Sequence, residues 1–227
     1  MNRTPIVILG LQETGLFASQ SFGKYHIPVY GFDFNLKNPG FYSRYIKSYK
    51  GANPFYEPEI LLQQVIEKAK DISSRPILIA STEDYLGFIA DHREELDKLY
   101  RFVLPGPDII QGILNKVGQF ELAKRCNFQV PDFYQISNKS EFTDYLHRYD
   151  HKKLIIKAQD QATWKAKVTK KAFIPGDFNE LKEIGYFLTD KEVPFLIQHV
   201  IDGDCTNNFE FNALMINGEI VEYSLIQ

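Results

Sequence analysis

Cysteine is almost missing: only Cys126 and Cys205 occur in 227 residues, far apart in the chain. That excludes a disulfide scaffold, and neither cysteine has a spacing that suits a structural zinc. A basic excess is also absent. Twenty-six Lys and Arg against 29 Asp and Glu give a formal net charge of −3, so no global field draws the chain to nucleic acid. No apolar run approaches the roughly 20 residues that a membrane helix needs. There is no internal repeat and no low-complexity tract. The N-terminus goes straight into a strand pattern, so no signal peptide is expected and a reducing, cytoplasmic setting is. What remains is 44% hydrophobic and 24% charged residues, the profile of a globular protein of one large or two small domains.

The order of patterns predicts an α/β fold. "PIVILG" (5–10) is a short apolar run stopped by glycine, as expected of a strand buried on both faces. "TGLFASQSFGKYH" carries Leu16, Phe17, Phe22 and Tyr25 at roughly helical spacing. "IPVYGFD" (27–33) is a second strand. "YEPEILLQQVIEKAKDI" has a proline near its start, with Ile60, Leu61, Val65, Ile66 and Ala69 forming an apolar face, which predicts a helix. "RPILIAS" (75–81) is a third strand, more helix follows, and "FVLPG" closes the series. Alternating strands and helices mean a parallel sheet with loop chemistry at its carboxyl ends.

A boundary is expected at 106/107, within "LPGPD". Past a helical segment containing "DIIQGILNKVGQF", the character becomes α+β. "VPDFYQI", "KKLIIKAQDQATWKAKVTKKAFI", "VPFLIQHVIDG" and "NNFEFNALMINGEIVEYSLIQ" read as strands, with helices at 138–149 and 177–188. Asn217-Gly218 between two alternating runs signals a hairpin.

The stretch "GLQETG" (10–15) is one glycine short of the G-x-G-x-x-G turn that binds dinucleotides, because Gln12 holds the middle place. A side chain there obstructs the approach of a pyrophosphate. Asp33, near the end of the second strand, stands at about the distance of a ribose acid. The residues allow two readings: an NAD-linked oxidoreductase using Gly10, Gly15 and Asp33, or glycines that merely permit a tight strand-to-helix turn.

Several segments together resemble a known family. "VILGLQETGLFASQSFGKYHIPVYGFD", "YSRY" (42–45) and "ILIASTEDYLGFIADHREEL" resemble the pre-ATP-grasp domain of ATP-grasp ligases. "LNKVGQFELAKRCNFQVPDFYQI" is similar to the entry into the ATP-grasp domain, and "KLIIKA" and "PFLIQHVIDGD" to the strands that sandwich adenine. The nearest flavour is that of carbamoyl-phosphate-synthase-like and D-aspartate-ligase-like carboxylate–amine ligases. The resemblance implies a Rossmann-like pre-ATP-grasp domain (1–106) followed by the ATP-binding half of an ATP-grasp domain (107–227), with its C-terminal part missing.

It also implies roles. Lys116 and Lys157 would meet the phosphates of ATP, and a lysine ending the apolar run "LIIK" is costly to bury unless an anion meets it. The backbone at His199 and Ile201 would bond the adenine edge, Gln198 would accept from its exocyclic amine, and Asp204 would hold the ribose. Residues 158–171 lie where relatives carry a glycine-rich flap, yet contain no glycine. Trp164, Lys165, Lys167, Lys170 and Lys171 would cover the phosphates instead, or guard an exposed strand edge. Thr82 and Glu83, with Ser81 and Asp84, would contact an acyl substrate or simply cap a helix. The remaining histidines, at 26, 92, 147 and 151, are expected at the surface.

The cofactors implied are ATP and Mg²⁺, and the partners are a small carboxylate and an amine, with a homodimer allowed. Magnesium ligands are expected beyond residue 227, because Glu210, Glu219 and Glu222 lack the family's spacing. The implied activity is ATP-dependent C–N ligation through an acyl phosphate, carried here by an N-terminal fragment inactive alone. A non-catalytic nucleotide-binding module is the third reading.

Overall fold

A computed structural model of the chain describes residues 3–72, 74–150, 152–159 and 161–227. His151 and Asp160 therefore lie outside the described residues. The chain forms two compact units, Met1–Leu122 and Ala123–Gln227, each considered by itself.

The first unit is built on four parallel strands in the order β3-β2-β1-β4. They are β1 (Ile6–Leu9), β2 (Val29–Asp33), β3 (Lys47–Lys50) and β4 (Ile77–Ala80). Helices α1 (Glu13–Gly23), α2 (Pro58–Asp71), α3 (Glu83–Asp91) and α4 (Arg93–Asp97) intervene, and α5 (Pro107–Ile113) follows. Every residue of β1 is buried, which is why its run is continuous rather than alternating. Leu61, Leu62, Val65 and Ala69 of α2 enter the core, whereas Ile60 is exposed. Phe17 on α1 and Tyr25 just past its end are also exposed; that helix is less amphipathic than its aromatics suggest.

Two expectations for this unit are corrected. β3 was hidden in "KSYK", a polar edge strand with too few apolar residues to announce itself. "FVLPG" is not a strand. Only Arg101, just before it, bridges the sheet, opposite Ile77, and the chain then turns away.

Helix α6 (Lys116–Arg125) leads to the second unit. Its four-stranded antiparallel sheet has the order β5-β8-β6-β7: β5 (Phe133–Ile136), β6 (Leu154–Ala158), β7 (Ala172–Phe173) and β8 (Phe195–His199). Helices α7 (Lys139–Leu146) and α9 (Phe178–Asp190) pack on it. Their starts are specified locally. Asn138 and Asp177 accept the backbone N–H groups of Glu141 and Glu180, and those glutamates reach back to the N–H groups of Ser137 and Gly176. Both are variants of the capping box.

A hairpin of β9 (Glu210–Ile216) and β10 (Glu219–Ile226) stands apart from that sheet. Asn217 and Gly218 at its turn have φ of 53° and 85°, the left-handed pair that the Asn-Gly signal demands. Its register sorts the side chains. Phe211 pairs with Leu225, Ala213 with Tyr223 and Met215 with Ile220, so one face is wholly apolar. The other face carries Glu210, Glu219 and Glu222. All of these side chains are exposed.

Candidate functional site

In the first unit the carboxyl ends of β1, β2 and β4 carry polar groups, as a parallel sheet requires. Gly10 adopts φ 90°. A Cβ on Gly15 would run into the Gly10 carbonyl, and that close approach accounts for both glycines of "GLQETG". Ser81 Oγ donates to the same carbonyl at 2.8 Å.

Asp33 is 1% exposed and is fully engaged within the fold. Oδ2 accepts from the Leu11 N–H at 2.6 Å and from Asn38 Nδ2 at 2.7 Å, and Oδ1 accepts from the Asn35 N–H at 2.8 Å. The carboxylate ties the β1–α1 turn to the loop after β2. This is a structural task, and it takes away the acid that the dinucleotide reading needs for a ribose. Tyr85 lies nearby, accepting from the Phe34 N–H at 3.3 Å; burial, then the Asp33 charge, push its phenol above the ordinary range.

Thr82 occupies the N-cap of α3 with extended backbone, but its side chain makes no capping bond. Glu83 and Asp84 are exposed in the first turn, where the helix dipole favours acids. Lys116, at the start of α6, is half-buried and donates to Gln119 Oε1 at 2.9 Å.

In the second unit, antiparallel pairing brings two of the singled-out residues together. Lys157 lies on β6 opposite Leu196, and Ile155 opposite Gln198. Lys157 Nζ donates to Gln198 Oε1 at 3.1 Å. Its neighbours Ile156 and Ala158 are buried in the core, so the ammonium emerges from an apolar strand beside a neutral amide. Gln198 is itself buried, and its Nε2 leans on the His199 carbonyl at 3.4 Å.

His199 ends β8. Its N–H donates to the Asp132 carbonyl at 3.0 Å, and the Val200 N–H donates to Lys153 at 2.9 Å. The His199 N–H is therefore engaged within the unit. The His199 carbonyl and the Ile201 N–H remain as an acceptor and a donor two residues apart, and Ile201 is exposed. The imidazole is bracketed by carboxylates that sequence reasoning did not connect to it. Nδ1 is 3.6 Å from Asp132 and Nε2 is 3.5 Å from Asp150. Asp204, in the turn after Gly203, is exposed and accepts from the Thr206 N–H at 2.9 Å.

The glycine-free segment is neither a strand throughout nor an open flap. Residues Gln161–Lys167 form helix α8. Trp164 is 2% exposed, packs beside Phe173 and donates its indole N–H to the Lys170 carbonyl at 2.7 Å. Its ring therefore anchors α8 to the core and does not lie over a ligand. Lys165 is exposed, Lys167 donates to the carbonyls of Lys191 and Glu192, and Lys170 lies over the Phe173 ring. Trp164→Phe keeps most of the burial and deletes the N–H. It is expected to cost about 1 kcal/mol, the net worth of one hydrogen bond, in urea unfolding followed by circular dichroism.

Among the described residues, no group of three or more His, Cys, Asp or Glu is placed to hold a metal ion. No helix there is long and apolar enough to cross a membrane.

The fold is similar to that of about half of several solved synthetases and ligases. No family model matches the chain, and no curated protein matches it in sequence; the likeness is to solved structures. One is N5-carboxyaminoimidazole synthetase from Staphylococcus aureus complexed with ADP, at 15% identity and a TM-score of 0.66, over 88% of this chain and 48% of that one. Another is an L-amino acid ligase from Bacillus licheniformis, at 14% identity and 0.66, over 89% and 48%. A third is carboxyaminoimidazole ribonucleotide synthase from Aspergillus clavatus complexed with ATP, at 18% and 0.64, over 88% and 48%. The chain thus spans about half the length of the structures it matches.

Proposed function

We propose that the chain is the nucleotide-binding part of an ATP-dependent carboxylate–amine ligase. The fold supports this reading, as do the nucleotides named with two of the matched structures. The observation that carries it is the Lys157 ammonium, held 3.1 Å from a neutral amide at the end of a buried strand. An ammonium at that place can offset charge on a bound phosphate.

In this reading Lys157 offsets charge on the phosphates of ATP, and the same task is proposed for Lys116. The His199 carbonyl accepts from the exocyclic amine of adenine, the Ile201 N–H donates to the ring, and Asp204 accepts from the ribose hydroxyls. Gln198 holds Lys157 and supports the His199 carbonyl. The substrate carboxylate then attacks the γ-phosphorus, the bond to ADP breaks, and an acyl phosphate forms. An amine attacks its carbonyl and phosphate leaves. Thr82 and Glu83 are the proposed contacts for the acyl substrate. Mg²⁺ accompanying the nucleotide would be held by carboxylates outside these 227 residues, and ligation by this chain alone is accordingly expected to be poor.

The test is calorimetric titration of ATP into the chain and into Lys157→Met. The substitution keeps the apolar stem and removes the charge. It is expected to weaken binding 10- to 100-fold, the worth of one charge-assisted contact. Equal affinity in the two proteins would sink the assignment, as would a full ligation rate for the chain by itself.

A further inference from the structure

We infer that the outer edge of β4 binds the carboxyl end of an apolar peptide, laid antiparallel to the strand as a fifth member of the sheet. β4 is an edge strand. The Arg101 N–H donates to the Pro76 carbonyl at 2.8 Å, and the Leu78 N–H donates to the Arg101 carbonyl at 2.9 Å. Residues 76, 78 and 80 therefore present their backbone groups outward. The chain then departs from the edge. Among the described residues, no hydrogen bond joins Val103 to the Leu78 carbonyl or to the Ala80 N–H.

The departing segment is pinned at its far end. Arg93 donates to the carbonyls of Leu104 at 3.2 Å and Pro105 at 2.8 Å. Between the two anchors Val103 is 97% exposed. The bow leaves a cavity of about 660 Å³, walled by Ile79, Ala80, Leu86, Phe102 and Leu104, with Arg75 and Arg101 also lining it.

Three features select the occupant. The apolar walls take apolar side chains. The outward carbonyl of Leu78 and N–H of Ala80 are complemented by a peptide backbone, which a plain aliphatic acid lacks. A carboxylate answers Arg101, whose guanidinium makes no hydrogen bond or ion pair among the described residues, whereas Arg75 is already engaged with Asp97. Arg101 stands level with Ile77, at the amino end of β4. A carboxylate there, with backbone pairing at Ala80, makes the peptide antiparallel to the strand. From Ala80 back to Ile77 is about 10 Å, the reach of roughly three residues.

The probe is an N-terminally labelled tetrapeptide of valine, isoleucine, valine and leucine, prepared as the free acid and as the C-terminal amide. Fluorescence anisotropy with the whole chain is expected to show saturable binding of the acid, and binding of the amide tenfold weaker or worse. Arg101→Gln, at an exposed position, should leave the melting temperature unchanged and erase the difference between acid and amide. Ala80→Pro, which deletes the outward N–H on an edge strand, should weaken both. Equal binding of acid and amide by the parent chain overturns the inference. So does a full acid preference in Arg101→Gln, competition by octanoate at the peptide's own affinity, or no saturable binding of the acid at all. None of these outcomes involves nucleotide, so the ligase reading stands or falls separately.

Discussion

Asp33→Ala is expected to destabilise the first unit by about 4 kcal/mol. The carboxylate accepts three hydrogen bonds, from Leu11, Asn35 and Asn38, and is almost wholly buried. Each bond to a charged group is worth about 1.5–3 kcal/mol net, and bonds sharing one acceptor do not add fully. Alanine also relieves the cost of burying a charge. That relief is smaller than the loss, because at least the Leu11 N–H is left unpaired in the interior. Asn in place of Asp33 should recover only part of the stability, since its NH₂ would face a donor. The measurement is far-UV circular dichroism against temperature, where the loss should appear as a fall of roughly 15 °C in Tm for a unit of this size. A loss under 1 kcal/mol would show that the turn after β1 does not depend on Asp33. The same result bears on the dinucleotide reading, because a carboxylate this buried and committed to the fold is out of reach of a ribose.

The second large effect belongs to Gly185→Ala, where two influences oppose each other. Alanine in the middle of α9 gains up to about 1 kcal/mol in helix propensity. The added methyl, however, would overlap three atoms of the Phe142 ring. That ring is fully buried and packed against Tyr186 and Phe195, so it can yield only by disturbing its neighbours. Overpacking of this kind costs about 1–3 kcal/mol and more where the neighbours cannot yield. A net loss of about 3 kcal/mol is expected for the second unit, read from the fluorescence of Trp164, the single tryptophan, during urea unfolding. Gly185→Ala with Phe142→Leu should recover part of it, because leucine vacates the space. If the single variant were as stable as the parent, the α7–α9 contact would not be the tight one described.

Some of this was legible beforehand. β1, β2 and β4 are short apolar runs ended by Gly10, Asp33 and Ser81, too short for helices and suited to a largely buried parallel sheet. α7 and α9 were legible because Asn138 and Asp177 each precede a glutamate at capping distance. The Asn217-Gly218 turn was legible because few residue pairs adopt those angles. β3 was not, since an edge strand of lysines carries no apolar period. α8 was not either. Its helix is held by Trp164 packing against Phe173 and bonding to Lys170, a tertiary circumstance that overrides a local pattern poor in helical signals. At the site, Lys157 could be named from its place in "LIIK", but its partnership with Gln198 depends on the β6–β8 register. The Asp132 and Asp150 brackets around His199 depend on loops that no periodicity describes.

The hairpin of β9 and β10 also bears on how the chain behaves in solution. Two strands with a bare face of Phe211, Met215, Tyr223 and Leu225, and no further strand paired to them among the described residues, have the composition that seeds aggregates. The chain by itself is therefore expected to aggregate more readily than a variant carrying a charge on that face, such as Leu225→Lys.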